Sequence, residues 1–191
     1  YREQEQWILA EKKYQRLIED FPRAKQGYMD FARMEIEKLA NYEMATGILD
    51  RYLRMEPEDY DALLLQGDAY LQWGKEDPSK YEEARYNYAR LMDLYGVKNE
   101  LLFRMLRYFI RKDDLKEVLA LKERFAAQPQ LEVDPVAYSE LGGYLIDKER
   151  LEDVRDVLFR AKDAEPHLPE IHYHLARYFK RMEEYNDEKK A

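Results

Sequence analysis

The chain has 191 residues and a net charge of −8, with 38% charged and 46% hydrophobic residues but only seven Gly and seven Pro. That balance is too apolar for a disordered tail, too acidic to favour non-specific nucleic-acid binding, and well suited to long amphipathic helices. There is no cysteine, the only serines are Ser79 and Ser139 and the only threonine is Thr46, so disulfides and thiolate metal sites are excluded and the expected class is all-α.

In chain order, residues 2–21 open with a helix in which the small anchor Ala10 is followed by Tyr14 and Leu17, and Pro22 stops it. The same spacing returns at Ala45 with Leu49 and Tyr52, at Ala84 with Tyr88 and Leu91, at Val118 with Phe125, and at Val154 with Leu158 and Ala161. These anchors follow one another at 35, 39, 34 and 36 residues. Lys122 is the clear lapse, standing where a large apolar residue is expected. Pro57 and Pro166 close later helices as Pro22 closes the first, and Pro129 comes one place early.

An upstream helix recurs as well, with apolar residues at i, i+3, i+4 and i+7. Its faces read Met29-Ala32-Arg33-Ile36, Leu63-Gln66-Gly67-Tyr70, Leu102-Met105-Leu106-Phe109, Tyr138-Leu141-Gly142-Leu145 and His172-Leu175-Ala176-Phe179. Arg33 and Gln66 depart from the pattern, so their polar heads should snorkel outwards or hold the helices apart. Extra residues fall within Gly74 to Lys80, where the loop should bulge outwards.

Two amphipathic helices per ~34 residues, closed by proline, resemble the tetratricopeptide repeat, best at Leu63-x2-Gln66-Gly67-x2-Tyr70 followed by Ala84, Tyr88 and Leu91. The resemblance covers nearly the whole chain. It implies a right-handed superhelical solenoid of antiparallel helical hairpins, with about ten or eleven helices, as a single domain over 1–191. The parts are a half unit at 1–22, full units at 26–58, 60–96, 99–128 and 135–166, and a partial unit at 169–191. Neither end reads as a polar cap, and the chain is expected to be a fragment that continues in both directions.

Chemistry has few candidates. There is no Gly-rich phosphate loop and no nucleophile elbow, and the plentiful carboxylates mark solvated helix faces and helix starts. His172 and His174 are two apart on a helix and point to different faces; His172 belongs to the buried stripe, and neither makes a metal site with His167 or Glu170. Basic clusters such as Arg104-Arg107-Arg111 read as charged helix surface. No apolar stretch approaches the ~20 residues needed to span a bilayer. The expectation is no catalytic residue, no metal, no cofactor, no nucleic acid and no direct membrane insertion.

In the tetratricopeptide family the first helices line a concave groove. The resemblance places its stripe one residue beyond the buried one, at Leu64, Asp68 and Leu71, then Phe103, Arg107, Ile110 and Arg111, then Gly143 and Ile146, then Tyr173, Arg177 and Arg181. Leu64, Leu71, Phe103, Ile110 and Ile146 would give the groove an exposed apolar middle, with Asp30, Glu37 and Asp68 towards one end and Arg107, Arg177, Lys180 and Arg181 towards the other. Gly143 lacks a packing role and would open a notch for a partner side chain. A peptide or helix from a protein partner is the expected occupant, with a C-terminal helix of the intact protein as the alternative. The Lys–Asn pair with which some family members clamp chaperone tails is absent at the first two groove positions.

The expected function is a non-catalytic scaffold or adaptor. The alternatives are a self-associating structural module and a regulatory domain of a larger protein. The stretch from Tyr14 to Pro22 looks like bacterial tetratricopeptide proteins, which points to a bacterial multiprotein assembly and leaves periplasm, cell envelope and cytoplasm open.

Overall fold

Helices form wherever the anchor spacing predicts them. The computed structural model describes residues 2–128 and 130–188, and Pro129, one of the recurrent prolines, lies outside them. The helices are α1 (Arg2–Asp20), α2 (Lys25–Met34), α3 (Tyr42–Leu53), α4 (Tyr60–Trp73), α5 (Lys80–Tyr95), α6 (Asn99–Arg111), α7 (Leu115–Ala126), α8 (Pro135–Asp147), α9 (Leu151–Ala164) and α10 (Pro169–Glu188). No strand occurs among the described residues. Short polar side chains start several of them: Asn41, Asp59, Asp114 and Asp134 each accept a hydrogen bond from the backbone N–H three residues on, at 2.9–3.3 Å.

Two compact units divide the chain, Tyr1–Val97 and Lys98–Ala191. In the first, α1 packs on α2, with Tyr14 stacked on Phe31 at 5.5 Å. The pairs α2–α3, α3–α4 and α4–α5 then follow in order. Arg33 does swing out to solvent, where it meets Asp30 at 3.4 Å. Gln66 does not: it is buried, accepts from Asn87 Nδ2 at 2.9 Å and donates to Asp50 Oδ1 at 2.7 Å. With both ends satisfied, a buried amide costs little, and helices α3, α4 and α5 stay close around it. Across the loop from Gly74, Lys80 Nζ lies 4.5 Å from the Trp73 ring centre, while Lys75, Glu76, Pro78 and Ser79 between them are exposed.

In the second unit α6 pairs with α7, and α8 with α9. Gly142 shows why a small residue recurs on the first helix, since a β-carbon there would lie 2.2 Å from Leu158 Cδ2. The lapse at Lys122 is absorbed by charge: its half-buried ammonium is held by Asp153 of α9. Helix α10 runs unbroken to Glu188, and no second helix follows it among the described residues.

The end of α2 departs from regular geometry. Residues Glu35–Leu39 form a π-turn, closed by Ala40 in the left-handed region (φ 49°). Glu35 is fully buried, and neither carboxylate oxygen is hydrogen-bonded. Burial, and secondly the charge of Glu11, push its pKa from 4.5 up to about 7. The unfolded chain releases this proton near pH 4.5 and the folded chain only near 7, so stability falls as pH rises through that window. The full loss is about 3 kcal/mol. Glu35→Gln should raise the melting temperature at about pH 8 and flatten the decline between about pH 5 and 7 in melts at graded pH. A wild-type profile already flat over that range would contradict this.

Candidate partner-binding face

Within each unit the first helices lie side by side, α2 beside α4, and α6, α8 and α10 in succession. Helices α2, α4, α6 and α8 therefore touch both their own second helix and a neighbouring first helix, and their buried arc is wider than one stripe. This corrects the expected apolar middle of the groove. Leu71 is 2% exposed, Phe103 5% and Ile146 4%, while Leu64 and Ile110 are half-buried. Phe103 shows the cause, with its ring 4.7 Å from Phe125 of α7 and 6.0 Å from Tyr138 of α8.

The charged positions are also engaged within the chain. Arg107 donates from Nε and Nη2 to Glu140 at 3.1 and 3.2 Å, and Arg111 reaches the same carboxylate at 3.0 Å, tying α6 to α8. Arg177 pairs with Asp147 and ties α10 to α8. In the first unit Lys25 joins α2 to the start of α4 through Asp59 at 2.9 Å and Asp61 at 2.7 Å, and Asp68 accepts from the Tyr88 hydroxyl at 2.8 Å. The expected basic end thus has Glu140 and Asp147 as counter-charges. Sequence reasoning passed over Glu140, which lies outside the stripe that the resemblance places in the groove.

Gly143 does have a packing role. A β-carbon there would lie 2.4 Å from His174 Cε1, so the notch is filled by the chain's own imidazole from α10. Burial, and then the Arg177 charge, hold the His174 pKa below the usual histidine value, in keeping with a neutral ring in that slot. His172, expected in the core, is exposed and sits 2.7 Å from the Pro166 carbonyl. Ile171, Leu175 and Tyr178 are the buried residues of α10 instead, and Phe179 is half exposed at 51%. The stripe through Ala176 and Phe179 is the one that faces a second helix in the complete units, and none lies there among the described residues.

What remains open to solvent on this face is Tyr173, 62% exposed, with the Arg177 guanidinium 5.6 Å from its ring centre, and Arg181 beyond it, near Glu184 at 3.1 Å. Among the described residues no cluster of His, Asp and Glu is placed to hold a metal ion, and no helix is long and apolar enough to cross a membrane.

The Gly143–His174 contact can be tested by a double-mutant cycle. Gly143→Ala should cost about 1–2 kcal/mol by displacing His174, and most of that loss should vanish in a His174→Ala background. Additive losses in denaturant unfolding would show that the two residues do not share this space.

No protein-family model matches the chain, and no curated protein sequence does. Solved structures do resemble it. MamA 41-end from Desulfovibrio magneticus RS-1 is similar with a TM-score of 0.61 at 22% identity, covering 84% of this chain and 86% of that one. A MamA RS-1 ArsTM double mutant gives 0.61 at 21% identity, covering 84% and 85%. YrrB, described as a TPR protein with an unusual peptide-binding site, gives 0.56 at 17% identity, covering 89% and 84%. The repeating hairpins, their small-residue contacts and this likeness agree: the chain is an all-α helical-repeat protein with a tetratricopeptide-like fold.

Proposed function

We propose that the chain is a non-catalytic scaffold or adaptor that holds a segment of another protein against the exposed face of its first helices, within a bacterial multiprotein assembly. The observation that carries this is the pairing of Tyr173 and Arg177 in the second unit: a largely exposed aromatic ring, stacked against a guanidinium that Asp147 holds in place. Tyr and Arg are the residue types that most often anchor protein interfaces, and a pre-positioned pair loses less entropy on binding. Around it Ile110 and Arg111 are half-buried and Arg181 is exposed, which supplies a mixed rim. The peptide-binding site described for YrrB agrees with a role in binding, at the level of fold.

Self-association is a second reading, favoured by Ile8, Leu9 and Phe21, which are 52%, 54% and 61% exposed on and just after α1. Sedimentation over a concentration series separates the two, since a monomer throughout speaks against self-association.

Affinity capture should retain a protein with the wild-type chain and with Tyr86→Ala, and lose it, or weaken it by about tenfold or more, with Tyr173→Ala. Equal capture by all three would contradict the proposed face.

A further inference from the structure

One repeat-to-repeat contact in the second unit is built once and left open once. Asp113, in the turn after α6, and Glu149, in the turn after α8, hold equivalent places: both are acids and both have left-handed backbones, with φ of 57° and 58°. The Asp113 carboxylate accepts from the Tyr144 hydroxyl at 2.9 Å and from the Lys148 ammonium at 2.8 Å. Lys148 Nζ also stands 5.5 Å from the centre of the Tyr144 ring. The turn after α6 is clasped in this way by the end of the next first helix.

In α10, Tyr178 stands where Tyr144 stands in α8, but the place of Lys148 is taken by Met182. Glu149 has no ion-pair partner and the Tyr178 hydroxyl makes no hydrogen bond among the described residues. Between this turn and the second half of α10 lies an open recess of about 550 Å³, floored by Ile146, Leu151, Tyr178 and Met182. The other acids at its rim are neutralised, Glu152 by Arg150 at 3.1 Å and Glu184 by Arg181 at 3.1 Å, while Arg155 lies over the Phe159 ring at 5.9 Å. Among the described residues Glu149 is the rim acid left without an ion pair, and it stands beside an apolar floor.

We propose that this recess is a docking site for a lysine-bearing segment of a partner protein, which supplies in trans the ammonium that Lys148 supplies one repeat earlier. The aliphatic stem of the lysine lies over Met182 and Tyr178, as the stem of Lys148 lies by Tyr144, and its head meets Glu149. An acid would be repelled by Glu149, and a wholly apolar segment would cover that carboxylate without a counter-charge. The site is separate from Tyr173, so its failure would leave the scaffold reading standing.

The probe is a blocked, fluorescent peptide copying residues 135–150 of this chain, which carries Tyr144 and Lys148 in their native spacing. Fluorescence polarisation should show saturable binding to the whole chain, weakened about threefold to tenfold by Lys148→Glu in the peptide or by Glu149→Gln in the protein. Met182→Lys, which restores the ammonium in cis, should abolish peptide binding and raise the melting temperature, with circular dichroism confirming that each variant folds. No binding of the peptide, equal binding of its Lys148→Glu form, or undiminished binding to Met182→Lys would each overturn the proposal.

Discussion

The distance at which a first helix can approach its second helix governs each unit. At Gly67 a β-carbon would lie 2.6 Å from Tyr88 Cε1, and at Gly142 2.2 Å from Leu158 Cδ2. Both contacts let a large side chain of one helix rest on the backbone of the other, and the dispersion gained there offsets the roughly 1 kcal/mol that glycine costs a helix. The same position in α6 holds Leu106, which is itself fully buried, and in α2 it holds Arg33, which leaves for solvent. One register thus accepts a small, a large or a departing side chain, provided the facing anchor adjusts.

In the second unit the hairpin of α6 and α7 fits through apolar contact, as Phe125 against Phe103 shows, and Phe103 also meets Tyr138 of the next hairpin. Between hairpins of the second unit, polar and charged side chains recur: Arg107 and Arg111 on Glu140, Arg177 on Asp147, Lys122 on Asp153, and Lys148 with Tyr144 on Asp113. Such pairs add modest stability individually, since most are partly exposed. Their larger effect is on register, because a helix displaced by one turn would leave these charges without their partners. They also explain how a surface rich in Arg can have few charges to spare for a partner.

Helix positions and the buried anchors Ala45, Ala84, Val118 and Val154 were legible because they depend only on periodicity along one helix. What periodicity misses is a second neighbour. Phe103 and Ile146 sit one residue off the main stripe, yet the next first helix covers that flank, so they belong to the core. Gly143 looked purposeless until α10 brought His174 against it. On α10 the error ran the other way, since Phe179 matches the buried pattern and lacks the second helix that would bury it among the described residues. Glu35 gave no signal, because a charged residue next to the apolar stripe reads as part of the solvated face.

A partner-binding role therefore rests on a smaller face than periodicity offered, centred on Tyr173 and Arg177 rather than on an apolar groove. The most direct test replaces Tyr173 with a photoreactive benzoylphenylalanine and irradiates the chain in a lysate, alongside the same replacement at Tyr86, which is 59% exposed on α5. The account predicts a discrete crosslinked protein at Tyr173 that is absent at Tyr86. Crosslinks of equal yield from both positions, or from Tyr86 alone, would contradict it.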